Sequence, residues 1–197
     1  GGGHFSGRIT LGMVAAGVVA KKILGQNVEF STEITEIGGE RNKDKFAEVI
    51  EQARMAQDSV GGVVECRIRG IREPLGEPFF DSVESVIAHL LFSIPAVKGV
   101  EFGDGFAGAA KRGSERNDTI IDASGTTKTN NEGGINGGIA NGNDIVLRVA
   151  IKPTPSIAKA QQTFNFGSNS IEELRIGGRH DSCIARRAMV IVEAMTA

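Results

Sequence analysis

Cysteine is scarce in this chain of 197 residues: Cys66 and Cys183 stand far apart, each without a second thiol nearby. That excludes a disulfide framework and a Cys-x-x-Cys metal site, and it fits a reducing cytoplasm. No charge of either sign dominates, because 22 Lys and Arg nearly balance 24 Asp and Glu. A general field for nucleic acid or an anionic membrane is therefore absent, and any anion site must be local. The longest apolar stretch, Val83 to Phe92, is interrupted by Glu84, Ser85 and His89. It falls well short of the roughly 20 apolar residues that span a bilayer. His4, His89 and His180 share no metal-ligand spacing, and no Gly-x-x-x-x-Gly-Lys-(Ser/Thr) stands at a strand-to-helix turn. An initiator Met is missing before Gly1-Gly2-Gly3, and Ala197 falls in what reads as a running helix, so both ends are expected to be cuts.

What is present suits one globular unit of mixed α and β class, since 40% hydrophobic residues over this length can form a substantial core. Leu11, Val14, Ala15, Val18 and Val19 follow helical spacing, with Thr10 as cap and Gly25 as stop. Alternation from Val28 through Phe30 to Ile34 predicts a half-exposed strand. A second amphipathic helix carries Phe46, Val49, Ile50 and Ala53, and a strand carries Val64, Cys66 and Ile68. Asp81 and Glu84 read as the capping box of a third helix containing Val83, Val86, Ile87, Leu90 and Leu91. A strand follows around Val97 to Phe102, and another runs through Ile145, Leu147, Val149 and Ile151 to Pro153 and Pro155. From Gly103 to Gly142 the composition turns to Gly, Asn, Ser and Thr, too polar to fold on itself and suited to a ligand. A polar stretch then leads to Gly177-Gly178 and a final helix.

Two segments echo each other. Gly7-Arg8-Ile9-Thr10 and Gly178-Arg179-His180-Asp181 each set Gly-Arg-x-(cap residue) before an amphipathic helix. An arginine at a helix start is misplaced unless an anion joins it, because the free N–H groups and dipole there already favour negative charge. A phosphate or carboxylate resolves this through the N–H donors and the guanidinium fork; a surface carboxylate partner for each arginine is the other reading. Asp181 reads as a helix cap, with proton transfer suggested only by its neighbour Arg179. The run Gly133 to Gly142 can bring backbone close to a ring or phosphate, or can simply make turns. His89, Cys66 and Cys183 read as structural.

Four motifs, in order, resemble the chorismate synthase family across essentially the whole chain. They are Gly2-Gly3-His4-Phe5-Ser6-Gly7-Arg8-Ile9-Thr10 with its Ala-rich helix ending Lys21-Lys22, and Pro95-Ala96-Val97-Lys98-Gly99-Val100-Glu101-Phe102-Gly103. The third is Asn130-Asn131-Glu132-Gly133-Gly134 through Gly142 to Lys152-Pro153-Thr154-Pro155-Ser156, and the fourth is Arg179-His180-Asp181-Ser182-Cys183 with Glu193. The resemblance implies an α+β sandwich of helices packed between antiparallel sheets. It also implies a cytoplasmic carbon–oxygen lyase of the shikimate pathway, a homotetramer, converting 5-enolpyruvylshikimate 3-phosphate to chorismate with reduced FMN. NADPH would enter only through flavin reduction. Matched motif by motif, Ser6, Gly7, Ala96, Gly138, Lys152, Ser156, Arg179 and His180 would line the flavin. Arg8 and Arg179 would hold substrate anions, and Asp181 would assist proton removal. Residues 1–197 would form one core with a ligand loop at about 103–142.

The chain departs from the family pattern in places. His4 and Phe5 stand where many relatives have Arg and Ser, Ser156 replaces a common Thr, and Pro95 occupies a position polar in some relatives. The resemblance places two catalytic histidines and several substrate arginines ahead of the first motif, so these residues alone are expected to be inactive. A flavin- or anion-binding and oligomerisation module, and an unrelated nucleotide-phosphate binder, are the rival readings.

Overall fold

A computed structural model describes residues 3–178 and 180–197, the side chain of Phe5 excepted. In chain order the elements are α1 (Leu11–Leu24), β1 (Glu29–Ile37), α2 (Phe46–Met55), β2 (Gly62–Arg69), α3 (Val83–Phe92) and β3 (Val97–Phe102). The short α4 (Gly105–Gly108), α5 (Gly113–Arg116), β4 (Ile135–Asn136) and β5 (Ile139–Ala140) follow. The chain finishes with β6 (Ile145–Ile151), β7 (Gln161–Asn165), β8 (Ser170–Leu174) and α6 (Ala185–Thr196). A four-stranded antiparallel sheet in the order β1-β2-β6-β3 is the centre, with β4-β5 and β7-β8 as separate two-stranded hairpins. This is the α+β class with antiparallel sheets that the resemblance implied.

Strand alternation decides which sheet face is dry. Val64, Cys66, Leu147 and Val149 point to the side where α6 lays Ala185, Ala188, Val192 and Met195, and α3 adds Ile87 and Leu91. Each large aliphatic side chain buried there contributes about 1.5–3 kcal/mol. On β1 a bulge between Ile34 and Glu36 resets the alternation. Without it Glu36 would enter the core; with it Ile37 does, at 1% exposure.

Several boundaries differ from the sequence reading. A 3-10 turn, Gly7–Thr10, precedes α1; Ser6 caps it by accepting from Arg8 N–H, while the Thr10 hydroxyl donates to Gly7 O at 2.6 Å. On α3 the cap is Ser82, accepting from Ser85 N–H at 3.1 Å, rather than the Asp81–Glu84 pair. Asp81 is one residue too early to reach the first free N–H groups. Before α6 the cap position is Ile184, so Asp181 closes a turn ahead of the helix and Cys183 lies outside it. His89 is exposed on α3, so it has no packing role. The apolar face expected of α1 is also largely uncovered: Leu11 and Ile23 are 77% and 80% exposed, and only Gly17 is buried, against Ala194 of α6.

The Gly- and Asn-rich segment does fold, contrary to expectation. Asp118 accepts from the backbone N–H groups of Asn131 and Glu132 at 2.8 and 2.9 Å and from the Thr129 hydroxyl at 2.7 Å. The β4-β5 hairpin buries Ile135 and Ala140 with Ile68, Ile71 and Ile145. Polar side chains substitute here for a core by capturing backbone donors.

Candidate functional site

The predicted residues gather chiefly where β6 leaves the sheet. Ile151 is paired there with Gly62 at the start of β2 and Val97 at the start of β3. Lys152 N–H donates to Ala96 O at 2.9 Å, joining two of the predicted residues. Ala96 adopts φ +79°, a left-handed conformation that costs an alanine about 1 kcal/mol and is held only where surroundings demand it. The next segment is pinned against the turn between α2 and β2. Ser59 Oγ donates to Thr154 O at 2.7 Å, and Gly61 lies so close that a Cβ there would stand 2.4 Å from Ile151 O.

Ser156 Oγ is 3.2 Å from His180 Nδ1, and His180 Nε2 is 2.9 Å from Ile176 O. A carbonyl only accepts, so Nε2 carries the hydrogen; in the neutral ring Nδ1 then accepts from the Ser156 hydroxyl. Asp181 Oδ1 accepts from Cys183 N–H at 3.2 Å. Its Oδ2 lies 3.2 Å from Arg187 Nε without the alignment of a hydrogen bond, and is shielded from solvent with no described donor. A buried carboxylate oxygen in this state is suited to a ligand's donor or proton. Val60 N–H donates to Ser182 O at 2.8 Å, holding the 180–182 segment beside the same turn.

A pocket of about 130 Å³ opens here, lined by Arg54, Gln57, Asp58, Ala158, His180 and Ser182. The hydrogen bond from Lys159, together with Ser59 N–H, holds the Asp58 carboxyl below the usual carboxylate range. Arg54, Gln57, Asp58 and Ser59 escaped the sequence reading. Their only signal was a polar turn directly before Gly61-Gly62.

Other predicted residues stand apart. Among the described residues, no hydrogen bond or ion pair links Ser6, Gly7 or Arg8 to Ala96, Lys152, Ser156 or His180, although α1, which they precede, packs on α6. Arg8 and Lys152 are both exposed, and no described carboxylate lies within ion-pairing distance of either. Gly138 accepts from Val83 N–H at the start of α3, whereas Ala96 lies beyond that helix's end. The length of α3, about 15 Å, separates them. Arg179 lies outside the described residues.

A second pocket, of about 400 Å³, lies on the opposite sheet face among Glu65, Arg67, Asp104, Asn130, Asn131 and Arg148. Its cations are already paired, Arg148 with Glu101 at 2.6 Å and Arg67 with Asp144 at 3.4 Å. Glycines nearby answer to backbone crowding: a Cβ on Gly103 would stand 2.0 Å from Asn131 O, and one on Gly133 2.3 Å from Gly103 N. Turn geometry therefore accounts for these glycines of the rich run.

Toward a reduced flavin mononucleotide, the sheet end offers Lys152, which has no carboxylate partner among the described residues, for a phosphate, an imidazole fixed at both ring nitrogens, and backbone held close at Ala96. These suit part of such a group.

Comparison with known proteins agrees with this architecture. The chorismate synthase family profile matches residues 1–197. A chorismate synthase from Chitinophaga pinensis is 55% identical over all of this chain and 58% of its own length, and one from Korarchaeum cryptofilum is 46% identical, matched over 62% of its length. A crystal structure of chorismate synthase superposes with a TM-score of 0.77 at 27% identity, covering 96% of this chain and 61% of that one. The chain thus spans about three fifths of the length of the relatives it matches. With a profile that runs from the first residue to the last and a fold shared at that level, the chain belongs to the chorismate synthase family.

Proposed function

We propose that this chain serves the chorismate synthase reaction, the anti-1,4-elimination of phosphate from 5-enolpyruvylshikimate 3-phosphate that gives chorismate. Phosphate leaves from C3 and a proton from C6, so no net electrons are consumed. Membership of the family supports the reading, and the observation that carries it is Asp181: a carboxylate with one oxygen holding a turn and the other shielded from solvent, ion-paired with Arg187 but with no described hydrogen-bond donor, next to a fixed His180. Such an oxygen receives the departing proton without first giving up water. Arg8 and Arg179 hold the substrate's phosphate and carboxylates, where cations offset the charge that develops as phosphate departs.

Ser6, Gly7, Ala96, Gly138, Lys152, Ser156, Arg179 and His180 are the residues we assign to reduced FMN. When bound, that cofactor lends electron density to the reacting ring. Lys152 takes its phosphate, and the Ser156–His180 hydrogen bond keeps the imidazole edge in one orientation. Within one chain Ala96, Lys152, Ser156 and His180 form the best supported group. NADPH serves only to reduce the flavin. We take residues 1–197 as one core whose 103–142 segment serves ligands, in a cytoplasmic homotetramer of the shikimate pathway.

The test is turnover of 5-enolpyruvylshikimate 3-phosphate with reduced FMN, in protein carrying these residues at the full length of its relatives. Asp181→Ala is expected to lower kcat by about 100-fold or more, the usual contribution of a positioned proton acceptor. Undiminished turnover removes Asp181 from the role. The 197 residues alone are expected to show no turnover, because the family's two catalytic histidines precede the first motif.

A further inference from the structure

The run that leaves β6 cannot hold itself in place. Residues 152–160 form no helix or strand, and Pro153 and Pro155 have no N–H to donate. Each proline fixes its own φ and presses the residue ahead of it toward extended backbone. Lys152 to Ser156 is therefore stiff, and a shift at Thr154 carries to both ends. Between the backbone N–H groups of Lys152 and Lys159, two hydrogen bonds tie the run to the other described residues. Ser59 Oγ donates to Thr154 O at 2.7 Å, and Ser156 Oγ lies 3.2 Å from His180 Nδ1.

Ser59 belongs to the turn from Gln57 to Val60, which grips two segments at once. Val60 N–H donates to Ser182 O at 2.8 Å, close after His180, while Gln57 O accepts from Lys159 N–H at 3.0 Å. Asp58 also pairs with Lys159, at 2.9 Å, but those side chains are 35% and 56% exposed, so solvent screens the pair and it fixes little. The Ser59 bond is half-buried, and without it the Thr154 carbonyl has no other described donor.

We propose that Ser59 is a positioning residue. Through the Thr154 carbonyl its hydroxyl sets Lys152 and Ser156 against His180, and so governs affinity for the phosphate of FMN. The inference rests on the assignment of those three residues to the cofactor.

Titration with FMN followed by flavin absorbance tests it, in protein carrying these residues at the full length of its relatives. Ser59→Ala is expected to weaken FMN about tenfold, or about 1.4 kcal/mol, the scale of one lost hydrogen bond, and to leave riboflavin, which lacks the phosphate, within about twofold. In a Lys152→Ala background the same change should lose most of its effect, because both act through one phosphate contact. Ser59→Cys, similar in shape but a weak donor, is expected to fall between, and it carries the comparison if Ser59→Ala does not fold. Unchanged FMN affinity, equal weakening of riboflavin, or full additivity with Lys152→Ala overturns the inference and leaves the cofactor assignment standing. FMN affinity indifferent to Lys152→Ala overturns both.

Discussion

Replacing one hydrogen with a methyl group in α1 separates packing from propensity. Gly17 is where α1 meets α6, and a Cβ built there would stand 2.5 Å from Ala194 Cβ, 2.6 Å from its Cα and 2.8 Å from its carbonyl oxygen. Two of those atoms are backbone and cannot rotate aside. Since ordinary Cβ contacts begin near 3.4 Å, α1 must retreat by roughly 0.9 Å in Gly17→Ala, loosening the Lys21–Glu193 ion pair and the Lys21 approach to Phe30. Overpacking of this kind costs about 1–3 kcal/mol, partly offset by about 1 kcal/mol of helix propensity.

Gly12, in the first turn of the same helix, has no atom within 4 Å of its would-be Cβ. Gly12→Ala is therefore expected to stabilise by about 0.5–1 kcal/mol. The two alanine variants should differ by about 2 kcal/mol, or about 4–8 °C in Tm for a chain of this size. Urea unfolding followed by circular dichroism reads both. If Gly17→Ala proves as stable as Gly12→Ala, the close helix contact is not the seam holding α1.

Further outcomes follow from single groups. Ser82→Ala should cost about 1 kcal/mol of stability by urea unfolding and Asp81→Ala less than about 0.5, because only Ser82 reaches a free N–H of α3. Asp118→Ala should speed amide exchange at Asn131 and Glu132 about tenfold or more, since it removes charge-assisted bonds each worth about 1.5 kcal/mol or more. Burial alone would raise the Asp118 carboxyl, but hydrogen bonds from Glu132, Thr129 and Asn131 outweigh it and hold the group below its ordinary range. Its contribution is thus present above the unfolded value of about 3.9 and fades as pH falls through the folded one, which the same exchange measured against pH will show. Burial pushes both Cys66 and Cys183 thiols up, so their contribution is full below the unfolded value of about 8.5 and declines as pH rises beyond it. Thiol labelling should require unfolding, and the alkaline decline should vanish in a double alanine variant.

Elements with a strong period were legible because one face of each is dry. β2, β6 from Leu147 onward, α2 and α3 turn alternate or every third and fourth residue inward, which the order of residue types records directly. The β7-β8 hairpin left no such trace: with both faces exposed, nothing selects apolar residues at alternate positions. Nor did the 103–142 segment announce its order, which rests on Asp118, Asn130 and Asn143 seizing backbone groups that only the folded path brings near. The β1 bulge and the shift of the α3 cap from Asp81 to Ser82 were hidden too, each being settled by one residue of register.

The candidate site divides the same way. Residue order alone was enough to indicate the family, because its four motifs are local runs, but it set Arg179 and Asp181 at a helix start whereas α6 begins only at Ala185. That Ala96 meets Lys152, that Ser156 meets His180, and that Arg54, Gln57 and Asp58 at the end of α2 wall the pocket beside His180 were decided by sheet pairing and the β6 exit. The partners lie tens of residues apart in the chain, where pattern carries no distance, and only the closing of the sheet brings them within hydrogen-bond reach.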